Sequence, residues 1–278
     1  MSRTASQLRR ARAKLQRHPF AIATTLQDSL VLLYAVDAEV LEQFCPPGLE
    51  LERVGEYGLV ALATVRASKV RPRGLPARFG RDFMLTGYRV VVRFRAPDNS
   101  VRRALCILQS DTDSAVMQLG GNLFTEYGYR RRNISTRRTR DIYYVHISSR
   151  DAVELKITAD TGTDDVLPEG SPFASVREAR RYTGPLPWTV GYLKAIDSFI
   201  AVRGHRASWK PRLVSVTVDT STFFEQPPFV GCEIKLAAAF YIEAVDYSWD
   251  RGVRLTRQQV SIVQQAGESA AEPADEDD

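Results

Sequence analysis

Phe124-Thr-Glu-Tyr-Gly-Tyr-Arg-Arg-Arg-Asn-Ile134 is the stretch of sequence that says most about the fold. It follows a predicted helix that begins at Asp113 and ends near Tyr127. The chain then turns at Gly128, because glycine enters the left-handed region of φ without a steric penalty. A strand is predicted directly afterwards, so the residues from Arg130 to Arg132 are delivered to its start. This junction places three cations beside aromatic and acidic side chains.

Strand patterns dominate on both sides of this junction. Tyr88–Arg95 and Arg102–Gln109 form a predicted hairpin around the turn at residues 96–100, and a second hairpin is predicted at residues 141–159. Further strands are predicted at residues 30–34, 59–70, 211–220 and 232–249. Short capped helices are predicted after Asp37 and Ser175. No regular alternation of strand and helix occurs, so we predict one α+β, β-rich domain with a large, mostly antiparallel and barrel-like sheet.

Composition indicates a globular protein of an intracellular type. Of the 278 residues, 44% are hydrophobic and 26% are charged, which suffices for a real core. No apolar run reaches the roughly 20 residues that cross a bilayer, so no membrane partner is predicted. The first 17 residues lack the apolar segment of a secretory signal. The three cysteines are widely spaced, which favours a reducing compartment, and we predict the cytoplasm.

Charge divides the chain into three predicted parts. Residues 1–17 carry six basic and no acidic side chains, and they are predicted to be a basic helix or a disordered head. Thr4 and Gln7 have the spacing of a capping box there, and Leu8, Ala11 and Leu15 follow at helical intervals. Residues 18–252 form the predicted domain. Residues 253–278 are predicted to be an acidic, disordered tail.

Three segments in the same order resemble the acetoacetate decarboxylase superfamily. The first is Tyr34-Ala-Val-Asp37 with the helix and the Pro46-Pro-Gly-Leu49 that follow, and the second is Phe83-Met-Leu-Thr-Gly-Tyr-Arg89-Val-Val-Val92. The third is the Phe124–Ile134 stretch. Their order and spacing agree with the superfamily across residues 20 to about 250, and the resemblance is to its uncharacterised YqjF-like branch. The resemblance implies a cone-shaped β-barrel with its ligand inside.

The sequence departs from the superfamily at the positions that carry the chemistry. The lysine that forms the Schiff base in acetoacetate decarboxylase aligns with Arg131, and an arginine stays protonated and cannot form an imine. The strand glutamate of the family aligns with Leu85, and its arginine near the first strand aligns with Ala35. Arg89 is kept, and it matches the uncharacterised branch. Decarboxylation through an imine is therefore not expected.

The resemblance implies a site built from the segment after the central helix. Arginine is suited to a bidentate pair with a carboxylate, and tyrosine or glutamate can donate or accept a proton. The predicted catalytic residues are Arg131, Arg132, Tyr129 and Glu126. The predicted ligand-binding residues are Arg89, Arg130 and Tyr127. The alternative is that the triple arginine is a solvated edge paired with an acid such as Glu126 or Asp141.

No metal or other cofactor is predicted. His18, His146 and His205 are isolated, and no cluster of cysteine and histidine has the spacing of metal ligands. No glycine-rich phosphate loop or nucleophile elbow is present.

Three function hypotheses remain at this point. The leading one is a protein that binds a small organic acid in the barrel interior, with or without a lyase-like or isomerase-like step that avoids an imine. The second is a non-catalytic sensor or interaction protein whose barrel is filled. The third, less favoured, is a nucleic-acid binder that uses the six arginines between positions 130 and 140. The sequence leaves the oligomeric state open, a homo-oligomer included.

Overall fold

The computed structural model describes residues 3–150, 152–162, 166–183 and 186–262. Helices occupy α1 (Arg3–Leu15), α2 (Ala38–Glu42), α3 (Ala115–Phe124), α4 (Val176–Arg180) and α5 (Arg257–Val260). The strands are β1 (Ile22–Asp37), β2 (Glu50–Leu51), β3 (Arg53–Val54), β4 (Tyr57–Pro72), β5 (Arg81–Arg95), β6 (Val101–Thr112), β7 (Arg130–Arg131), β8 (Asn133–Thr139), β9 (Ile142–Ser149), β10 (Ala152–Asp160), β11 (Trp188–Leu193), β12 (Ser198–Arg206), β13 (Arg212–Leu213), β14 (Ser215–Ser221), β15 (Ile234–Trp249) and β16 (Val253–Thr256).

Seven strands close on themselves to form a barrel. Their order is β15-β1-β4-β5-β6-β11-β12, and β12 pairs again with β15 through Gly204 and Trp249. All of these pairings are antiparallel except the seam between β6 and β11. This confirms the predicted β-rich α+β class with a mostly antiparallel, barrel-like sheet.

A second sheet covers one side of the barrel. Its order is β14-β10-β9-β8, and it buries Tyr143, Val145 and Ile147 in the main core. Side chains alternate between the two faces of a strand, so Tyr88 and Val90 of β5 point to this core. Arg89, the residue between them on β5, points into the barrel.

The two ends of the barrel are closed differently. At one end the segment around α4 inserts Phe173, Tyr182 and Leu186 against the interior residues of β1 and β5. At the other end α1 and α3 lie across the opening, and the Gln16 side chain donates hydrogen bonds to the carbonyls of Asn122 (3.1 Å) and Thr125 (2.8 Å). The interior between these two ends is where a cavity remains.

Local signals in the sequence correspond well to the observed elements. Asp37 caps α2 by accepting a hydrogen bond from the Glu39 N–H at 2.8 Å, and Ser175 caps α4 through the Glu178 N–H. The predicted hairpin is formed by β5 and β6. None of the described helices combines the length and apolar character needed to cross a bilayer.

Three boundaries differ from the prediction. Helix α3 is shorter than expected, because Ser114 caps its start and Thr125 is already extended. The strand predicted at residues 211–220 is divided between β13 in the barrel sheet and β14 in the second sheet. Order continues past residue 252, since β16 pairs with β12 and α5 follows it. The acidic residues of the predicted tail, from 265 onward, lie outside the described residues.

Candidate functional site

The barrel interior holds a cavity of about 310 Å³. Its wall is formed mainly by apolar side chains of β1, β4, β5 and β6, among them Val31, Ala63, Val65, Leu85 and Ile107. A volume near 300 Å³ is at the lower end of the range typical of small-molecule sites. The interior is therefore not filled, which argues against the hypothesis of a packed barrel.

Arg89 is the cationic group in this apolar cavity. It lies on β5 and lines the cavity. Its Nη1 donates a long hydrogen bond of 3.4 Å to the Gly87 carbonyl. Within the described residues no carboxylate lies at ion-pair distance from it. Burial lowers the pKa of the Arg89 guanidinium, and the nearby tyrosines oppose this effect.

Three tyrosines surround this guanidinium. Tyr127, Tyr129 and Tyr247 all line the cavity, and burial raises the pKa of each phenol. The pKa of Tyr129 rises to about 12, so its hydroxyl stays protonated and can donate. Gly121 of α3 makes this position accessible, because a Cβ there would lie 2.5 Å from the Tyr129 ring.

His18 and Glu126 form a buried pair beside the cavity. Their side chains lie 3.8 Å apart between Nε2 and Oε2, and they are 14% and 13% exposed. His18 lines the cavity, and its ring packs on Tyr127 at 4.9 Å between centroids. In the described part of the chain, His18 Nε2 and both Glu126 carboxyl oxygens lack a hydrogen-bond partner. Ionisable groups that are this buried and make no hydrogen bond are unusual outside functional sites.

Burial moves the pKa values of this pair towards the neutral forms. Desolvation lowers the pKa of His18 from 6.5 to about 4 and raises the pKa of Glu126 from 4.5 to about 7. A carboxyl group with a pKa near neutrality is suited to general acid–base chemistry. Gly191 on β11 creates the space that Glu126 fills, since a Cβ at 191 would lie 1.4 Å from Glu126 Oε1.

Two further polar atoms of the cavity wall are unpartnered. Ser29 Oγ and Trp209 Nε1 are buried and have no hydrogen-bond partner among the described residues. Together with the tyrosine hydroxyls they give the cavity several groups that a ligand could satisfy.

The three consecutive arginines lie outside the cavity, which corrects the predicted carboxylate clamp. Arg130 makes a bidentate pair with buried Asp111, at 2.7 and 3.0 Å. Arg132 donates to Glu154 on β10 at 2.8 Å, and Arg131 is exposed. Arg130 also lies 3.5 Å from Glu154, so both ion-paired arginines connect the segment around β7 to the second sheet. The catalytic roles assigned to Arg131 and Arg132 thus have no support from their positions.

The remaining predicted residues fall in or beside one site. Arg89, Tyr127 and Tyr129 line the cavity, and Glu126 lies behind His18. His18 was missed because it was interpreted as isolated, and its partner lies 108 positions away. Tyr247 and Trp209 were also missed, since only the closed barrel brings β15 and the segment before β13 to this wall.

The three positions that align with reactive groups of the superfamily supply no such group to the cavity. They are Leu85, Ala35 and Arg131, and Arg131 lies outside the cavity as described above. Leu85 lines the cavity, and Ala35 is fully buried in the apolar cluster below it. None of the six lysines of the chain, all of which lie within the described ranges, lines the cavity. In the same ranges no three histidine, cysteine or carboxylate side chains converge as metal ligands.

The fold is that of acetoacetate decarboxylase and its structural relatives. The enzyme from Legionella pneumophila subsp. pneumophila str. Philadelphia 1 matches with a TM-score of 0.60 and 11% identity, over 87% of this chain and 89% of the other. The enduracididine biosynthesis enzyme MppR, complexed with the condensation product of pyruvate and imidazole 4-carboxaldehyde, matches with a TM-score of 0.57 and 12% identity. The match covers 86% of this chain and 90% of the other. An acetoacetate decarboxylase-like enzyme from Sphingomonas wittichii RW1 matches with a TM-score of 0.54 and 11% identity, over 87% of this chain and 94% of the other.

The chain belongs to the DUF2071 family of uncharacterized conserved proteins, whose model matches residues 23–246. This confirms the resemblance to the uncharacterised branch of the acetoacetate decarboxylase-like superfamily. No curated protein sequence matches the chain.

Proposed function

We propose that this protein binds a small, largely apolar monocarboxylic acid inside the barrel, with the carboxylate on Arg89. The observation that carries the proposal is a guanidinium that lines an apolar cavity and has no carboxylate partner among the described residues. A buried cation without a partner is costly to the folded state, and a carboxylate ligand would offset that cost with charge-assisted hydrogen bonds.

The surrounding hydroxyls favour the same ligand. Tyr127 and Tyr129 lie close enough to Arg89 to influence its pKa, and their own raised pKa values keep them as neutral donors. A carboxylate has about four acceptor sites, more than one guanidinium occupies. The tyrosines therefore complete the coordination of the carboxylate that Arg89 attracts.

Cavity size and polarity define the rest of the ligand. The cavity of about 310 Å³ is at the lower end of the range of small-molecule sites, so it suits a compact ligand. Because its wall has one cation and is otherwise mostly apolar, a second charge on the ligand would be left unpaired. Aromatic or branched monocarboxylates suit it better than dicarboxylates.

We assign the acid–base role to Glu126 with His18, if the bound acid is also transformed. A lyase-like or isomerase-like step needs a group that gives and takes a proton near neutral pH, and the pKa of Glu126 rises to about 7. The absence of any lysine from the cavity wall argues against an imine. MppR has been crystallised with pyruvate, which supports the association of this fold with small carboxylates.

The other two hypotheses gain less support. The cavity disfavours a filled barrel. Half of the six arginines between 130 and 140 are occupied, because Arg130 and Arg132 are ion-paired and Arg138 donates to the Tyr241 hydroxyl at 3.1 Å. An arginine that is already paired has less to offer a phosphate backbone.

The test is thermal stabilisation of the purified protein by a panel of acids. Benzoate, phenylpyruvate and octanoate are compared with pyruvate and with the dicarboxylate succinate, using wild type, Arg89→Met and the exposed-site control Arg131→Met. We expect a saturable rise in Tm with the apolar monocarboxylates that Arg89→Met loses and Arg131→Met keeps. Retention of the full shift by Arg89→Met, with its fold verified by circular dichroism, would overturn the proposal.

A further inference from the structure

The apolar stripe of α1 is turned away from the protein. Leu8, Ala11 and Leu15 lie on one face of the helix, an arrangement that normally packs on a core. In the structure the buried residue among the described side chains of α1 is Ala13, on the opposite face, while Leu8 is 67% and Leu15 49% exposed. This stripe has no partner within the described residues.

Helix α3 presents a second uncovered stripe. Val116, Leu119 and Leu123 recur at the spacing of one helical face and are 58%, 76% and 43% exposed. A neighbouring face of the same helix, with Met117 and Phe124, lines the cavity. Helix α3 contains no charged residue. A helix that is apolar on both faces is usually covered on both.

These stripes belong to one surface at the end of the barrel that α1 and α3 cover. Gln16 ties the end of α1 to the end of α3, and the Phe20 ring packs edge-on against Phe124 at 5.3 Å. We call this surface the apolar rim, and it consists of Leu8, Leu15, Phe20, Val116, Leu119 and Leu123. The neighbouring loop, held by a 2.7 Å hydrogen bond from Arg73 N–H to the Ala21 carbonyl, adds exposed Leu75 and Phe79.

Basic side chains flank the rim. Among the described side chains of α1, the cationic ones are all exposed, and the helix contains no acid; they are Arg9, Arg10, Arg12 and Lys14. Arg12 reaches the Asn122 carbonyl of α3 at 3.5 Å, which puts a cation directly beside the α3 stripe. The guanidinium of Arg78 lies over the exposed Phe79 ring at 4.9 Å. Asp113, at the start of α3, is engaged with the Met84 N–H.

We propose that the apolar rim docks on a membrane surface with anionic headgroups. Apolar side chains flanked by arginine and lysine match the two layers of such an interface, the acyl boundary and the negatively charged headgroups. A two-fold contact between two copies would instead bring the basic α1 helices together, and neither α1 nor α3 contains an acid that could offset their charge. The protein lies on the bilayer and does not span it, in departure from the sequence expectation that no membrane takes part.

The inference is independent of the ligand in the cavity, since it rests on the outer faces of α1 and α3. It has a consequence for that cavity, because Phe20 and Phe124 belong to the same end of the barrel and also line the interior. The apolar rim is therefore adjacent to the cavity, and an apolar acid dissolved in the bilayer would reach the cavity over a short path.

Vesicle flotation with the full chain tests the proposal. Vesicles of phosphatidylcholine alone are compared with an equal mixture of phosphatidylcholine and phosphatidylglycerol. The variants are Leu8→Ser/Leu119→Ser for the stripes and Arg10→Gln/Arg12→Gln for the charge. The matched controls are Val230→Ser, a 62% exposed valine beside the second sheet, and Arg177→Gln/Arg180→Gln on α4 at the opposite end of the barrel.

We expect binding to the anionic vesicles alone, and weaker binding at high salt. Removing two basic residues should lower the partition about thirtyfold, and removing two leucines at least about tenfold, with both controls unchanged. Binding to neither vesicle, or equal losses in the controls, would overturn the proposal. So would a dimer in light scattering that Leu8→Ser/Leu119→Ser converts to monomer, because the rim would then be covered by a second copy.

Discussion

The buried pair of His18 and Glu126 gives the protein a pH dependence that single substitutions should expose. The pKa of Glu126 is about 7 in the folded chain against 4.5 ordinarily, and the pKa of His18 is about 4 against 6.5. Both shifts come from burial, yet they act on stability in opposite directions. The perturbations are Glu126→Gln and His18→Asn, asparagine being chosen because His18 has a φ of 49°.

Each group changes stability over its own pH window. Between pH 4.5 and 7 the folded chain holds a proton on Glu126 that the unfolded chain has lost, so stability falls as the pH rises. Between pH 4 and 6.5 the unfolded chain holds a proton on His18 that the folded chain lacks, so stability rises with pH. At about 1.36 kcal/mol per pKa unit, each contribution is worth about 3 kcal/mol between pH 4.5 and 6.5. In the wild type the two slopes nearly cancel.

Urea unfolding, followed by tryptophan fluorescence at several pH values from 4.5 to 6.5, measures how the free energy of unfolding changes with pH. Relative to wild type, Glu126→Gln should gain about 3 kcal/mol of stability across the window, and His18→Asn should lose about as much. The double variant serves as the control, and its free energy of unfolding should change with pH as that of the wild type does. If both single variants also followed the wild type, the argument would be refuted, because burial would then not shift the pKa values of His18 and Glu126 as described.

Three further predictions concern individual contacts. Arg89→Met should raise the stability of the ligand-free protein by about 1–3 kcal/mol in urea unfolding, because it removes a buried cation without a carboxylate partner; a loss of stability would show that the guanidinium is satisfied. Gly191→Ala should cost about 1–3 kcal/mol and displace the Glu126 carboxyl, so its unfolding free energy should lose the Glu126-dependent slope with pH. Asp111→Asn should cost about 2 kcal/mol in the same assay, since Arg130 loses its charged partner but is 37% exposed and partly solvated; an unchanged midpoint would contradict this.

Local features were accessible to sequence reasoning because their causes are local. A capping side chain acts within three residues, so Asp37 and Ser175 could be identified with the helices they start. A two-strand hairpin with a short turn is equally local. The barrel class followed from the density of such strands and from the order of three motif segments.

The site could be predicted only in part, because its geometry depends on contacts between distant segments. The resemblance led us to expect Arg89 and the tyrosines at 127 and 129 in the barrel interior, and all three line the cavity. The pairing of His18 with Glu126 depends on how the segment before β1 crosses the barrel end, and no local pattern encodes that. The arginines from 130 to 132 were assigned to the interior because the register after Gly128 cannot be read without the structure.

That register has an evolutionary consequence. Tyr127 and Tyr129 line the cavity, whereas Arg130 and Arg132 are ion-paired outside it and Arg131 is exposed. Loss of the Tyr129 codon would place Arg130 directly after Gly128, at the position from which Tyr129 now faces the cavity. One phenol of the cavity wall would then be replaced by a guanidinium in a single genetic event. Within such a family, the length of the turn at Gly128 is therefore a determinant of the chemistry of the cavity.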